Sequence, residues 1–240
     1  MGNRQRIDKI LSNMGHGTRK EVKELIKSGL AEIDGKVVTD PGTQVEAGLQ
    51  VILVGGRKLF YAESIYIMMN KPQGVISATE DTRERTVVDL LPDEFRARNP
   101  FPVGRLDKDT EGLLLLTNDG QLSHRLLSPR KHVPKTYLAR VAGRVSDEDV
   151  EAFSRGVTLE DGYKTMASQL VILERGSISL VEITIYEGKF HQVKRMFQAV
   201  GKEVIYLKRI SMGELKLDEA LEPGDFRELN PDERRMIGIL

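Results

Sequence analysis

The sequence predicts an α+β protein: a small helix–helix–strand module, then a larger domain with a mixed, largely antiparallel sheet flanked by helices. Two observations predict it. Strand-like segments outnumber helical ones and do not alternate regularly with them, which argues against a doubly wound fold. The chain has 240 residues, more than a usual domain of ~100–150 residues, and its first part has a periodicity of its own.

In that first part Ile7, Ile10, Leu11 and Met14 share one helical face, and Gly15 and Gly17 end the helix. Thr18 followed by Glu21 is a capping box for a second helix, whose apolar face is Val22, Leu25, Ile26 and Leu30. Ala31 to Val38 reads as two short strands around an Asp34-Gly35 turn, and Gln50 to Val54 as a third. Residues 1–56 are thus expected to form the module, 57–65 a linker, and 66–240 the second domain.

In the second domain Ile65 to Met69 reads as a buried strand stopped by Pro72, and Gly74 to Ser77 as a further short strand. Thr86 to Pro92 is a short helix or turn. Leu113 to Leu116 is a strand ended by the Asn118-Asp-Gly turn, and Gln121 to Ser128 a helix. Lys135 to Val141 alternates as a strand. Ser146 opens a helix with three acids on its first turn, where they suit the helix dipole. Ile178 to Tyr186 is a long strand, His191 to Val200 a helix ended by Gly201, and Val204 to Ile210 one more strand.

Composition excludes several chemistries. There is no cysteine, so disulfides, thiolate metal sites and a cysteine nucleophile are ruled out. His16, His124, His132 and His191 form no paired zinc motif. The apolar runs are far shorter than the ~20 residues of a membrane span, and the polar start at Met1 shows no signal peptide. A soluble, cytoplasmic protein is the expectation.

Lys plus Arg and Asp plus Glu both number 36, a formal net charge of zero, where a nucleic-acid-binding domain usually has a pI above ~9. The zero is a cancellation between regions. Residues 1–30 hold seven basic against three acidic residues, and residues 187–209 hold six against two, each a net of +4. Residues 213–235 hold four against eight, a net of −4. Arg19 and Lys20 stand on the first turn of the second helix, where cations suit a phosphate partner better than they suit the helix. The bland reading of such a run is a solvated face.

The chemically densest segment is Phe101-Pro-Val-Gly-Arg-Leu-Asp-Lys-Asp-Thr-Glu-Gly, with Asp107, Asp109 and Glu111 just before an apolar strand. By itself it is good turn chemistry. As a metal loop it is weakened by Lys108 and by the lack of a calcium-loop core.

The motifs resemble known families. Arg6-Ile-Asp-Lys-Ile-Leu, Gly17-Thr-Arg-Lys-Glu-Val and Gly29 to Val38 resemble a small RNA-binding domain named after a small-subunit ribosomal protein. That resemblance implies phosphate contacts from Arg6, Lys9, Arg19, Lys20 and Lys23. Gly104 to Gly120 resembles the catalytic motif of rRNA pseudouridine synthases. Met69-Asn-Lys-Pro-Gln-Gly-Val-Ile-Ser, Lys135-Thr-Tyr and Glu187-Gly-Lys-Phe-His-Gln-Val-Lys-Arg-Met match three further family motifs in order. The group resembled includes the small-subunit rRNA uridine-to-pseudouridine synthase.

The resemblance implies Asp107 as the essential aspartate, able to add to carbon 6 of the uracil, attack the anomeric carbon, or act as a base toward the sugar. It implies Lys194 as the basic partner, where the family more often has Arg, with Arg195 as a substitute and RNA contact. Such a pair at ~4 Å is worth about 4 kcal/mol of attraction at an effective dielectric near 20, which would keep a desolvated carboxylate ionised. Tyr137 is implied to stack on a flipped uracil, for ~1–3 kcal/mol. Arg105 is the expected contact to RNA phosphate or to the gap left by the flipped base, and Lys71 touches the backbone or supports the cleft. His191, Gln192, Asp109 and Glu111 receive no chemistry. Isomerisation needs no metal or cofactor.

The expected partner is therefore ribosomal RNA, most of all small-subunit rRNA, or an assembling ribosomal particle, acted on by a monomer. The alternatives are a large-subunit rRNA pseudouridine synthase, a non-catalytic RNA-binding assembly factor and a metal-dependent nuclease.

Overall fold

The computed structural model describes residues 4–46, 50–59 and 64–239. The chain divides into two compact units, Met1–Ile65 with Val88–Pro100, and Tyr66–Val87 with Phe101–Leu240. This differs from the expected division in two places. Val88–Pro100 belongs with the first unit, and Arg57–Leu59, expected in the linker, forms a strand. Residues 60–63 of that expected linker lie outside the described residues.

The first unit contains β1 (Arg4–Arg6), α1 (Ile7–Asn13), α2 (Arg19–Lys27), β2 (Ala31–Ile33), β3 (Lys36–Val38), β4 (Gln44–Glu46), β5 (Ile52–Val54), β6 (Arg57–Leu59) and α3 (Asp93–Arg96). The capping box starts α2: Thr18 Oγ1 accepts from the Glu21 amide at 3.4 Å, and the Thr18 amide donates back to Glu21 at 2.7 Å. The helical periodicity then buries Ile7, Ile10, Leu11, Val22 and Ile26 against Ala31, Ile33, Val45 and Ile52. β1 pairs with β4, and a second sheet runs β3-β2-β5-β6. Lys9, Arg19, Lys20 and Lys23 are left on the surface. Arg6 is committed to Asp8 by two hydrogen bonds, at 3.0 and 2.7 Å.

The second unit contains β7 (Tyr66–Lys71), β8 (Phe101–Pro102), β9 (Glu111–Thr117), α4 (Gly120–Leu127), β10 (Lys135–Ala142), α5 (Asp147–Arg155), β11 (Gln169–Glu174), β12 (Ile178–Ile185), α6 (Gln192–Ala199), β13 (Glu203–Met212), β14 (Leu215–Lys216), β15 (Phe226–Glu228) and α7 (Pro231–Met236). One sheet runs β11-β12-β10-β13-β9-β7-β15, with β14 on β13 and β8 on β9. Only the β13–β9 pairing is parallel among the described strands, so the sheet is mixed and largely antiparallel. β7 and β9 are buried along both faces, as inner strands covered on both sides are. The expected strand at Gly74–Ser77 does not form. Ile76 makes one isolated bridge to Thr86, and Gly74 and Ser77 hydrogen-bond to Lys108 and Leu106 of the loop that carries Asp107.

The parallel junction is where that loop meets the sheet. Gly112 of β9 lies opposite Arg209 of β13 with φ +104°, and a Cβ there would stand 2.2 Å from the Arg209 carbonyl oxygen. Neither the backbone angle nor the space admits a side chain. Gly112→Ala is expected to destabilise the protein by on the order of 3 kcal/mol or more, read as a lower urea midpoint with unchanged slope. An unfolding free energy within about 0.5 kcal/mol of wild type would mean that the two strands part easily here.

Candidate active site

Asp107 sits on the loop between β8 and β9, and that loop is fixed from below by the segment that follows β7. Ser77 clamps Leu106 in both directions, its hydroxyl donating to the Leu106 carbonyl at 2.9 Å and accepting from the Leu106 amide at 3.0 Å. The Gly74 amide donates to the Lys108 carbonyl at 2.8 Å. Between these points lies Lys71, 0 % exposed, whose ammonium donates to the carbonyls of Pro72, Asp107 and Thr110 at 2.9, 3.1 and 3.0 Å. Burial pushes its pKa down to about 8, against the opposing pull of Asp109, Asp107 and Glu111. Lys71 therefore has no surface to offer to RNA, which corrects its assignment as an RNA contact. A cation able to satisfy three converging carbonyls is spent on the backbone of the aspartate loop.

Lys194 reaches Asp107 from the first turn of α6. Its Nζ stands 3.5 Å from Asp107 Oδ2 and 2.6 Å from Asp109 Oδ1. The tighter partner is thus Asp109, read from sequence as a turn former, and the Lys194 hydrogen bond holds its carboxyl below the usual range. His191 Nε2 lies 3.6 Å from Asp107 Oδ1. Neither contact to Asp107 is within hydrogen-bond length, so its carboxylate keeps its lone pairs beside one shared cation.

Arg195, the next residue, points elsewhere. Successive helical residues are ~100° apart, and its guanidinium meets Asp161 at 2.5 Å and Glu160 at 3.7 Å. It is neither a substitute for Lys194 nor a free cation for RNA, and both expectations are corrected. His191, expected as the first residue of the helix, precedes α6 in a left-handed conformation with φ 48°. The exposed Phe190 ring stacks on its imidazole at 3.7 Å. Gln192 is 4 % exposed and ties the turn together, accepting from the Lys189 amide and donating to Glu187, both at 2.8 Å.

Tyr137, on β10, is 8 % exposed and lines the same cleft of about 840 Å³ as Asp107, Lys194 and the exposed Arg105. Three elements far apart in sequence therefore deliver a carboxylate, a cation and an aromatic ring to one cavity. Sequence reasoning missed Arg209, which is 2 % exposed, lines the cleft and lies opposite Tyr137 in the β10–β13 ladder. Its only sequence signal was membership of a basic strand.

Comparison with known proteins gives the family of the chain. Residues 65–199 match the family of RNA pseudouridylate synthases, and residues 5–51 match the S4 domain. The chain belongs to the RNA pseudouridylate synthase family. It is 54% identical over 233 residues to a Bacillus subtilis protein named "Uncharacterized RNA pseudouridine synthase YtzG", covering 97% of this chain and 98% of that one. It is 41% identical to ribosomal large subunit pseudouridine synthase B of Bacillus subtilis, over 98% of this chain and 96% of the relative. It is also 41% identical to ribosomal small subunit pseudouridine synthase A of Vibrio cholerae, over 95% and 97%. A crystal structure of a pseudouridylate synthase, 35% identical, superposes with a TM-score of 0.68 over 97% of this chain and 99% of that one. The protein is an isomerase of this family with an RNA-binding S4 domain.

Proposed function

We propose that this synthase isomerises a specific uridine of ribosomal RNA, and that its target is in the small subunit. The observation that carries the chemical reading is the convergence of Asp107, Lys194 and Tyr137 on one cleft. The uridine swings out of its stack and its base packs on the Tyr137 ring, offsetting part of the few kcal/mol that flipping costs. Asp107 faces the nucleotide with the Lys194 ammonium 3.5 Å from one of its carboxylate oxygens. The bond from C1′ to N1 breaks, the base turns, and C5 joins C1′. The proton lost from C5 balances the one taken up at N1, so no other reactant is consumed. Arg105, exposed at the cleft, contacts phosphate or the vacated stack.

Ribosomal RNA as substrate is supported by the two relatives named for ribosomal subunits, which favour neither subunit by identity. The small-subunit reading rests on the Phe190-His-Gln-Val-Lys-Arg-Met form of the third motif. The protein is read as a cytoplasmic monomer acting on rRNA or an assembling particle, and no helix among the described residues is long and apolar enough to cross a membrane. Mapping pseudouridines in both rRNAs from cells lacking the protein tests the proposal. One lost site in small-subunit rRNA is expected, and a site lost only from large-subunit rRNA would overturn the choice.

The N-terminal unit is read as the RNA anchor, with Lys9, Arg19, Lys20 and Lys23 as phosphate contacts and Arg6 tied to Asp8. Arg19→Ala with Lys20→Ala should weaken rRNA binding and flatten the salt dependence by about 0.7 per lost contact on single-stranded RNA. An unchanged slope would return this face to ordinary solvated charge.

A further inference from the structure

Two cations of the cleft that are not exposed, Arg209 and Lys135, have no carboxylate partner among the described residues. Arg209 projects from β13 on the face that carries Tyr137, its direct neighbour across the ladder. Its Nε donates to the Leu113 carbonyl at 2.8 Å, while one terminal nitrogen is buried with no hydrogen-bond partner. Lys135, two residues before Tyr137 and so on the same face, donates to the Val133 carbonyl at 2.9 Å. Burial, and secondarily the charge of Arg209, holds its ammonium below the ordinary lysine range. Both residues line the cleft, and neither forms an ion pair among the described residues.

Burying an uncompensated guanidinium costs several kcal/mol. Charges of this kind gather where a site handles the opposite charge. A backbone phosphate is the wrong counterpart, because a bulky tetrahedral anion does not reach a group that is 2 % exposed and beside the base-stacking ring. Phosphates have exposed cations such as Arg105 and Lys189 at the cleft. The anion that does arise beside Tyr137 belongs to the reaction itself. When the C1′–N1 bond breaks, its electron pair leaves with the pyrimidine, as charge spread over N1 and the two carbonyl oxygens. The same pair is returned when C5 bonds to C1′.

We propose that Arg209, assisted by Lys135, stabilises the negative charge that develops on the pyrimidine while it is detached from the sugar. The proposal rests on the isomerase reading of the cleft. It adds to Asp107, which works at the sugar or carbon 6, a fixed field acting on the departing base.

The test compares Arg209→Gln and Arg209→Lys with wild type under single turnover at saturating enzyme. The substrates are an rRNA fragment carrying uridine and the same fragment carrying 5-fluorouridine at the target. Loss of the starting nucleoside, fragment Kd and thermal melting are measured. Fluorine withdraws electrons and stabilises the departing anion by itself, so it lessens the need for the cation. Arg209→Gln should slow the uridine reaction on the order of 100-fold and the 5-fluorouridine reaction by less than about 10-fold, with Kd within about twofold. Arg209→Lys should recover most of the rate. Because Arg209 also holds Leu113, Lys135→Gln is measured in parallel, with a loss of about 10-fold that shrinks on the fluorinated substrate, and it decides the matter if Arg209→Gln does not fold. Equal losses on both substrates would mean a structural role. Weaker binding at an unchanged saturated rate would mean a phosphate anchor. Either result overturns the proposal while leaving wild-type pseudouridine formation, and so the isomerase reading, intact.

Discussion

Asp107→Asn is expected to lower pseudouridine formation by more than about 10⁴-fold while leaving RNA affinity within about twofold. The substitution is nearly isosteric and removes only the negative charge. The loop should stay in place, because Lys71, Gly74 and Ser77 hold its backbone and not the Asp107 side chain. Lys194 keeps its 2.6 Å contact to Asp109, so the cation is not left unpaired. What disappears is the group able to attack carbon 6 or the anomeric carbon or to take a sugar proton, and an amide does none of these. Pseudouridine is quantified by nucleoside digestion after single turnover, with binding measured on the same RNA. Substantial residual activity would transfer the role to another group, with Asp109 the first to examine.

Lys71→Met carries the largest expected effect on stability. Methionine fills the volume of the lysine stem, so the change removes the ammonium and little else. The carbonyls of Pro72, Asp107 and Thr110 then lose a donor in a site closed to water. A cost of about 3–5 kcal/mol is expected, read from urea unfolding with an unchanged slope. Whatever folds should be slow, because the aspartate loop has lost its central tether. The pH dependence gives a second check. The folded value of about 8 lies below the ~10.4 of an unfolded lysine, so between these values the unfolded chain binds the extra proton. Wild-type stability therefore rises with pH across that window on account of this group, and Lys71→Met lacks the rise. The gap between the two proteins should widen from pH 8 to pH 10 by about 2 kcal/mol. A gap that narrows would mean that the three carbonyls favour the ammonium more strongly than burial opposes it.

The contrast between Asp107 and Lys71 shows what a linear sequence displays. Asp107 was singled out only because Gly104 to Gly120 resembles a family motif, since by itself the segment reads as turn chemistry. Tyr137 and Lys194 were legible only through motifs in other segments, since spacing does not reveal that β10 and α6 converge on the same loop. Lys71 read either as a contact to the RNA backbone or as a support of the cleft, and the sequence alone did not choose between them. Its carbonyl cage is assembled from two strand ends, and only the fold brings them together. Arg195 misled for a simpler reason. Adjacent basic residues on a helix look equivalent in sequence, yet one turns toward Asp107 and the other toward Asp161. Asp109 was passed over because turn chemistry explained it fully, until Lys194 was found closer to it than to Asp107.

The fold was legible where apolar periodicity is strong, in the helices of the first unit and in β7, β9, β10, β12 and β13. It was not legible at β11 and β15, short strands whose exposed and half-buried residues leave little alternation to read. The acid-rich tail was seen only as charge. In the structure it is ordered by Arg227, which bridges Asp218 at 2.6 Å and Glu233 at 2.7 Å and so ties β15 to α7. The capping box of Asn230 and Glu233 was present in the sequence and had gone unread.

The central claim is that this cleft converts uridine to pseudouridine in RNA. It is tested most directly by incubating the purified protein with unmodified rRNA transcripts labelled with tritium at carbon 5 of uridine, without added metal. Release of tritium to water in equal amount to the pseudouridine formed, approaching one site per transcript and absent with Asp107→Asn, is the predicted result. Tight binding to the same transcripts with no tritium released, on free rRNA or on assembling particles, would contradict it and leave an RNA-binding protein that kept the fold.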